Sequence, residues 1–134
     1  SLITVSGLSI PANTPFLVVG SYRKSAGAAD TVNIGLMLNA TEVMDPGTAT
    51  GAQNEVQTGA FMFFIGAHDG TYLRSGFRMA GSDGATGGLD GSILALRADI
   101  PNATITDVII RANVSNASIT IGVDEVHVYT FSPS

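Results

Sequence analysis

The sequence predicts an all-β domain, an antiparallel two-sheet sandwich of jelly-roll-like form, and three observations carry that expectation. From Thr104 to Phe131, β-branched residues recur at every second position, the period of a pleated strand and not the 3.6 of a helix. Along the rest of the chain, short apolar runs alternate with Gly, Asn, Asp and Pro turn signals at the spacing of a sandwich or barrel. No segment has the periodicity of an amphipathic helix of useful length. The 134 residues amount to one domain, 1–134, large enough for one real core.

Taken in order, Leu2–Val5 is a short strand, and Gly7 with the Pro11-Ala-Asn-Thr-Pro15 punctuation sets a loop. Phe16–Tyr22 is the next strand, and Arg23–Asp30 a polar, Ala/Gly-rich turn. Thr31–Asn39 alternates cleanly, with Val32, Ile34, Leu36 and Leu38 on one face and Thr31, Asn33, Gly35 and Asn39 on the other. Thr41–Met44 adds a short strand before a loop over Asp45–Asn54. Ala60–Ile65 and Thr71–Met79 are joined by Gly66-Ala-His-Asp-Gly70, which has hairpin chemistry. Ala80–Gly91 reads as a second loop, with almost no side chain able to pack. Ser92–Asp99, Thr104–Ala112, Ser118–Gly122 and Glu125–Phe131 complete eight to ten strands.

Several strands are apolar on both faces. Phe61, Phe63 and Ile65 alternate with Met62 and Phe64, and Ile105 and Ile109 with Val108 and Ile110. In a lone antiparallel sandwich the outer face is polar, so a second covering surface is implied. Burial between subunits is the expectation, and a long loop folded across the outer face is the alternative. Charged residues make up only 13% of the chain, too few to cover a monomer's surface comfortably, which points the same way.

Composition also excludes function classes. A net charge of −5, with Arg23, Lys24, Arg74, Arg78, Arg97 and Arg111 scattered, argues against nucleic acid, whose affinity comes from clustered cations. The absence of cysteine rules out disulfides and thiolate metal sites. No apolar run approaches the ~20 residues of a membrane helix, so no membrane partner is expected. The opening residues lack the charged-then-apolar order of a signal peptide, and Ser1 fits either a removed initiator Met or an excised domain.

Candidate chemistry is sparse. His127 lies two residues after Glu125 on one side of a strand, and His68-Asp69 sits in a hairpin turn; together they offer metal-ligand types, but nothing in the spacing makes them meet. Asp83 and Asp90 flank glycines without the spacing of a calcium loop. There is no Gly-x-Ser-x-Gly elbow, and Asp107, Asp124 and Glu125 come without an aromatic platform for a glycosidase. The expectation is therefore no catalytic residues, no metal and no cofactor. The sequons at Asn39, Asn102, Asn113 and Asn116 read as turn and strand-edge positions. With no Trp and only Tyr22, Tyr72 and Tyr129, a glycan site has no positive signal.

Three stretches together, Ser6-Gly-Leu-Ser-Ile-Pro-Ala-Asn-Thr-Pro-Phe16, Asn33-Ile-Gly-Leu-Met-Leu-Asn-Ala-Thr41 and Ile119-Thr-Ile-Gly-Val-Asp-Glu-Val-His-Val-Tyr-Thr-Phe131, resemble small β-sandwich structural proteins of tailed-bacteriophage virions, of the head-decoration or tail-fibre head type. The resemblance lies in β patterning and Gly/Asn turns, and it assigns no functional residue to a numbered position. It implies a non-enzymatic virion structural protein, made in the host cytoplasm and carried on the particle surface. As a capsid decoration or cement subunit, it would be a homo-oligomer, expected as a homotrimer, contacting the major capsid or another virion protein. The alternative it implies is a receptor- or glycan-binding head of a tail fibre or spike.

Overall fold

In the computed structural model, the backbone is described for residues 2–26, 30–48, 56–66, 75–83, 89–97 and 103–131, and side chains for 2–26, 30–44, 56–66 and 103–131. Nine strands run in chain order: β1 (Leu2–Val5), β2 (Phe16–Lys24), β3 (Asn33–Leu38), β4 (Thr41–Thr48), β5 (Gln57–Ile65), β6 (Ser75–Asp83), β7 (Leu89–Arg97), β8 (Val108–Asn113) and β9 (Ile121–Thr130). They form a four-stranded sheet, β1-β8-β3-β4, and a five-stranded sheet, β7-β6-β5-β2-β9, with every pairing antiparallel. The chain crosses between the sheets five times, and this alternation gives the sandwich its jelly-roll-like character.

Strict alternation builds the core. Val32, Ile34, Leu36 and Leu38 are all fully buried, the face that the 31–39 pattern predicts. Val108, Ile110 and Ala112 flank them from β8, while Phe16, Val18 and Tyr22 of β2 and Phe61, Phe63 and Ile65 of β5 come from the opposing sheet. Gly20 faces inward at the register position of Phe61, and a Cβ there would collide with the Phe61 ring and the Glu125 carbonyl. The missing side chain is thus what lets a large aromatic ring lie across β2. At the end of the same face, the register partners Lys24 and Gln57 are buried, and the Lys24 ammonium donates to the Ser25 carbonyl at 3.1 Å. That bond helps to offset the cost of burying a polar head beside the core.

Two polar clamps hold the segments around β8 and β9. The β3–β4 connection is two residues long, and both Asn39 (φ 53°) and Ala40 (φ 151°) take positive φ, as so tight a hairpin requires. From there the Asn39 amide donates to the Thr104 carbonyl and accepts from the Thr106 and Asp107 amides. In the second clamp the Asp30 carboxylate accepts from its neighbour's amide at Thr31, from the Ser115 hydroxyl at 2.7 Å and from the Asn116 amide at 2.6 Å. The Ser115 hydroxyl and the Asn116 amide hold the Asp30 carboxyl below its ordinary range, against the opposing effect of burial.

Several boundaries differ from the sequence reading. β4 extends to Thr48, into the expected 45–54 loop, and β6 and β7 reach Asp83 and start at Leu89, shortening the expected 80–91 loop. A β-ladder supplies backbone hydrogen bonds without needing bulky side chains, so the Gly-rich pattern concealed these ends. The expected strands 118–122 and 125–131 are one strand, β9, interrupted by a bulge at Asp124. The expected strand 104–112 begins only at Val108, as β8; Ile105, fully buried, forms an isolated bridge with Ile10 ahead of it.

Two stability measurements test this packing. Gly20→Val forces the Phe61 ring out of its seat and is expected to lower unfolding free energy by about 1–3 kcal/mol, as overpacking does; an unchanged urea midpoint would contradict the contact. Because the Asp30 pKa is lowered in the folded state, its contribution is full above the unfolded value of about 3.9 and is lost as pH falls through the folded value. Asp30→Asn should therefore be less stable than the natural chain at pH 7, with the gap closing below pH ~4. A gap that is constant across pH would contradict the carboxylate's role.

Candidate interaction surface

The outer face of the five-stranded sheet is set out by register in rows across β9, β2 and β5. The first row is Tyr129, Leu17, Phe64, and the second is His127, Val19, Met62. Next come Glu125, Ser21, Ala60 and, past the bulge, Gly122, Arg23, Thr58. The face thus grades along the strands from an aromatic and aliphatic end to a polar end. Phe77 and Met79 of β6 continue the first two rows at the register positions beyond Phe64 and Met62.

At the apolar end, the rings of Phe64 and Phe131 lie 6.1 Å apart in a tilted arrangement. The His127 and Tyr129 rings stack at 6.3 Å. Tyr129 and Phe131 are 53% and 47% exposed, placing them among the most exposed large apolar side chains of the described residues. Glu125 and His127 form a water-exposed pair at 3.6 Å, a separation at which such pairs contribute little on their own.

The outer face of the other sheet is mixed. Ile109, Met37 and the exposed Leu2 share it with Thr4, Asn33 and an ion pair in which Arg111 reaches across β3 to Glu42. Of the doubly apolar strands, β5 therefore lies within an apolar outer patch of the five-stranded sheet, whereas β8 places Ile109 on a mixed face.

Glu125 and His127 meet on one face as their spacing predicts. His68 and Asp69 lie outside the described residues, as do Tyr72 and Asn102 and the side chains of Asp83 and Asp90. Among the described residues, no group of three or more His, Asp or Glu is placed to hold a metal ion. Asp107 sits at the approach to β8, where its carboxylate accepts from the Thr106 hydroxyl at 3.3 Å, and Asp124 is the exposed bulge residue. Asn39 and Asn116 are turn residues, the latter accepting from the Ser118 amide and hydroxyl. Glu125 neighbours His127, whose ring in turn stacks on Tyr129, an arrangement that follows from the period-2 alternation of β9.

No protein-family model matches the chain, and none of the curated proteins matches it. Among solved structures, it is similar to a legume lectin-like domain from Entamoeba histolytica at 12% identity, with 93% of this chain and 75% of that chain covered and a TM-score of 0.39. It is also similar to peanut lectin with a nine-residue peptide, at 12% identity, 86% and 79% coverage and a TM-score of 0.25. The likeness concerns the sandwich fold alone.

The two faces of β5 and β9 should respond differently to truncation. Phe63→Ala, on the buried face, is expected to cost about 3–5 kcal/mol. Tyr129→Ala, on the outer face, should leave the isolated subunit's stability within about 0.5 kcal/mol. Equal losses in thermal unfolding would mean that the outer face is already covered within one subunit.

Proposed function

We propose that the protein is a non-enzymatic structural subunit that acts by self-association and docking, with the outer face of the five-stranded sheet as its working surface. The observation that carries this reading is the apolar end of that face, where the half-buried Leu17, Val19, Met62 and Phe64 gather beside the exposed Tyr129 and Phe131. Large exposed apolar patches on small domains mark sites of protein contact. Together with the resemblance of residues 6–16, 33–41 and 119–131 to phage virion proteins, this supports a decoration or cement subunit on a virion surface. Contacts with several neighbours at once would raise the free energy needed to separate them.

A second reading, a receptor- or glycan-binding head, is favoured by one feature. Tyr129 stacks on His127 beside the exposed Glu125, an apolar ring next to a hydrogen-bond acceptor.

Light scattering of the purified protein should show a homo-oligomer, and a monodisperse monomer at micromolar concentration would contradict the proposal. Protein added back to stripped particles should restore resistance to heat or osmotic shock. If it instead blocks adsorption to host cells and leaves particle stability unchanged, the binding-head reading replaces the decoration reading.

A further inference from the structure

β9 ends the five-stranded sheet, and among the described residues nothing pairs with its outer side. An open edge of ten residues is a ready template for another strand, and natural proteins blunt such edges unless they use them. The partial blunting here is the bulge at Asp124, which leaves Glu125–Thr130 as a regular run. The side chains along this run match a second copy of the same strand laid antiparallel to it.

With the twofold axis at Val126, Glu125 of each copy falls opposite His127 of the other, adding two cross-strand pairs to the 3.6 Å pair already within each strand. If Asp124 stays the extra, unpaired residue, as it is against β2, Val123 falls opposite Val128 and Gly122 opposite Tyr129. The first pair continues the inner, core-packed face, to which Val123, Val126 and Val128 all belong. The second is a fit of shape: a Cβ at Gly122 would meet nothing, so the glycine leaves open space on the outer face where the exposed Tyr129 ring of the second copy would lie.

We propose that two copies of this chain join β9 to β9 in this register, merging their five-stranded sheets into one of ten strands. The inference rests on the self-association reading above and specifies its interface. The occupant is a second copy because charge, apolar and glycine–aromatic positions all pair under a single twofold operation, the isologous match that a closed dimer requires. The pairing sets the two apolar outer faces side by side, and it makes the building unit a dimer and not the expected trimer.

The chain contains no cysteine, so a single introduced one reports on its own position. Val126→Cys lies opposite itself across the axis and should oxidise to a covalent dimer, whereas Thr41→Cys, exposed on the β4 edge of the other sheet, should not. His127→Glu puts like charges opposite each other twice and should weaken dimerisation roughly tenfold. The double variant Glu125→His/His127→Glu rebuilds the pairs in reverse and should recover most of that loss. An oligomer that persists in solution without cross-linking at position 126, and without response to either charge variant, would overturn the edge pairing while leaving self-association standing. A monomer throughout would overturn both, and cross-linking of Thr41→Cys as fast as Val126→Cys would mark the contact as nonspecific and overturn the register.

Discussion

Strand β2 is paired along its whole length, with β5 on one side and β9 on the other, so whatever fixes its two faces fixes the five-stranded sheet. Inward, Phe16, Val18 and Tyr22 enter the core, and Gly20 yields its place to the Phe61 ring. Outward, Leu17 and Val19 leave an apolar strip that this sheet alone does not cover. The bulge opposite Ser21 and Tyr22 then lets β9 follow the twisted strand while keeping Val126 and Val128 on the core side and His127 and Tyr129 on the outer side. The core packing of β2 and the exposure of the interaction surface are therefore two consequences of one alternating sequence.

Without cysteines, the sandwich relies on packing and on hydrogen bonds between distant segments. Asn39 ties the β3–β4 hairpin to residues 104–107, and Asp30 ties the segment after β2 to the turn between β8 and β9. Both clamps spend buried or half-buried polar groups on backbone amides, which would otherwise go unpaired as the chain crosses between sheets. The second clamp matters most for the proposed function, because it anchors the turn from which β9 sets out along the edge. Ser25 adds to this, its hydroxyl accepting from the Thr120 amide immediately before that strand.

Much of the fold was legible because half-buried strands write their burial into the sequence at period two. The segment 31–39 is the clearest case, its apolar set being wholly interior. The run Phe61–Ile65, apolar at every position, likewise puts Phe61, Phe63 and Ile65 in the core and Met62 and Phe64 on the outer face. Strand ends in Gly-rich segments were not legible, since β4, β6 and β7 extend through residues whose pairing depends on backbone groups rather than on side-chain pattern. Nor was the continuity of β9. A bulge shifts the alternation by one residue, so Asp124 read as a break between two strands. Among candidate site residues, the Glu125 and His127 pairing followed from spacing, whereas their place beside Leu17, Met62 and Phe64 depends on strand order, which no local pattern encodes.

The central claim is that the five-stranded sheet is completed by another protein surface, a second copy of itself at the β9 edge. Amide hydrogen exchange followed by mass spectrometry at high and low protein concentration tests it most directly. Peptides covering β9 should be protected at high concentration and lose protection on dilution, while those covering β3 and β8 stay constant. Concentration-independent exchange across β9 would contradict the account.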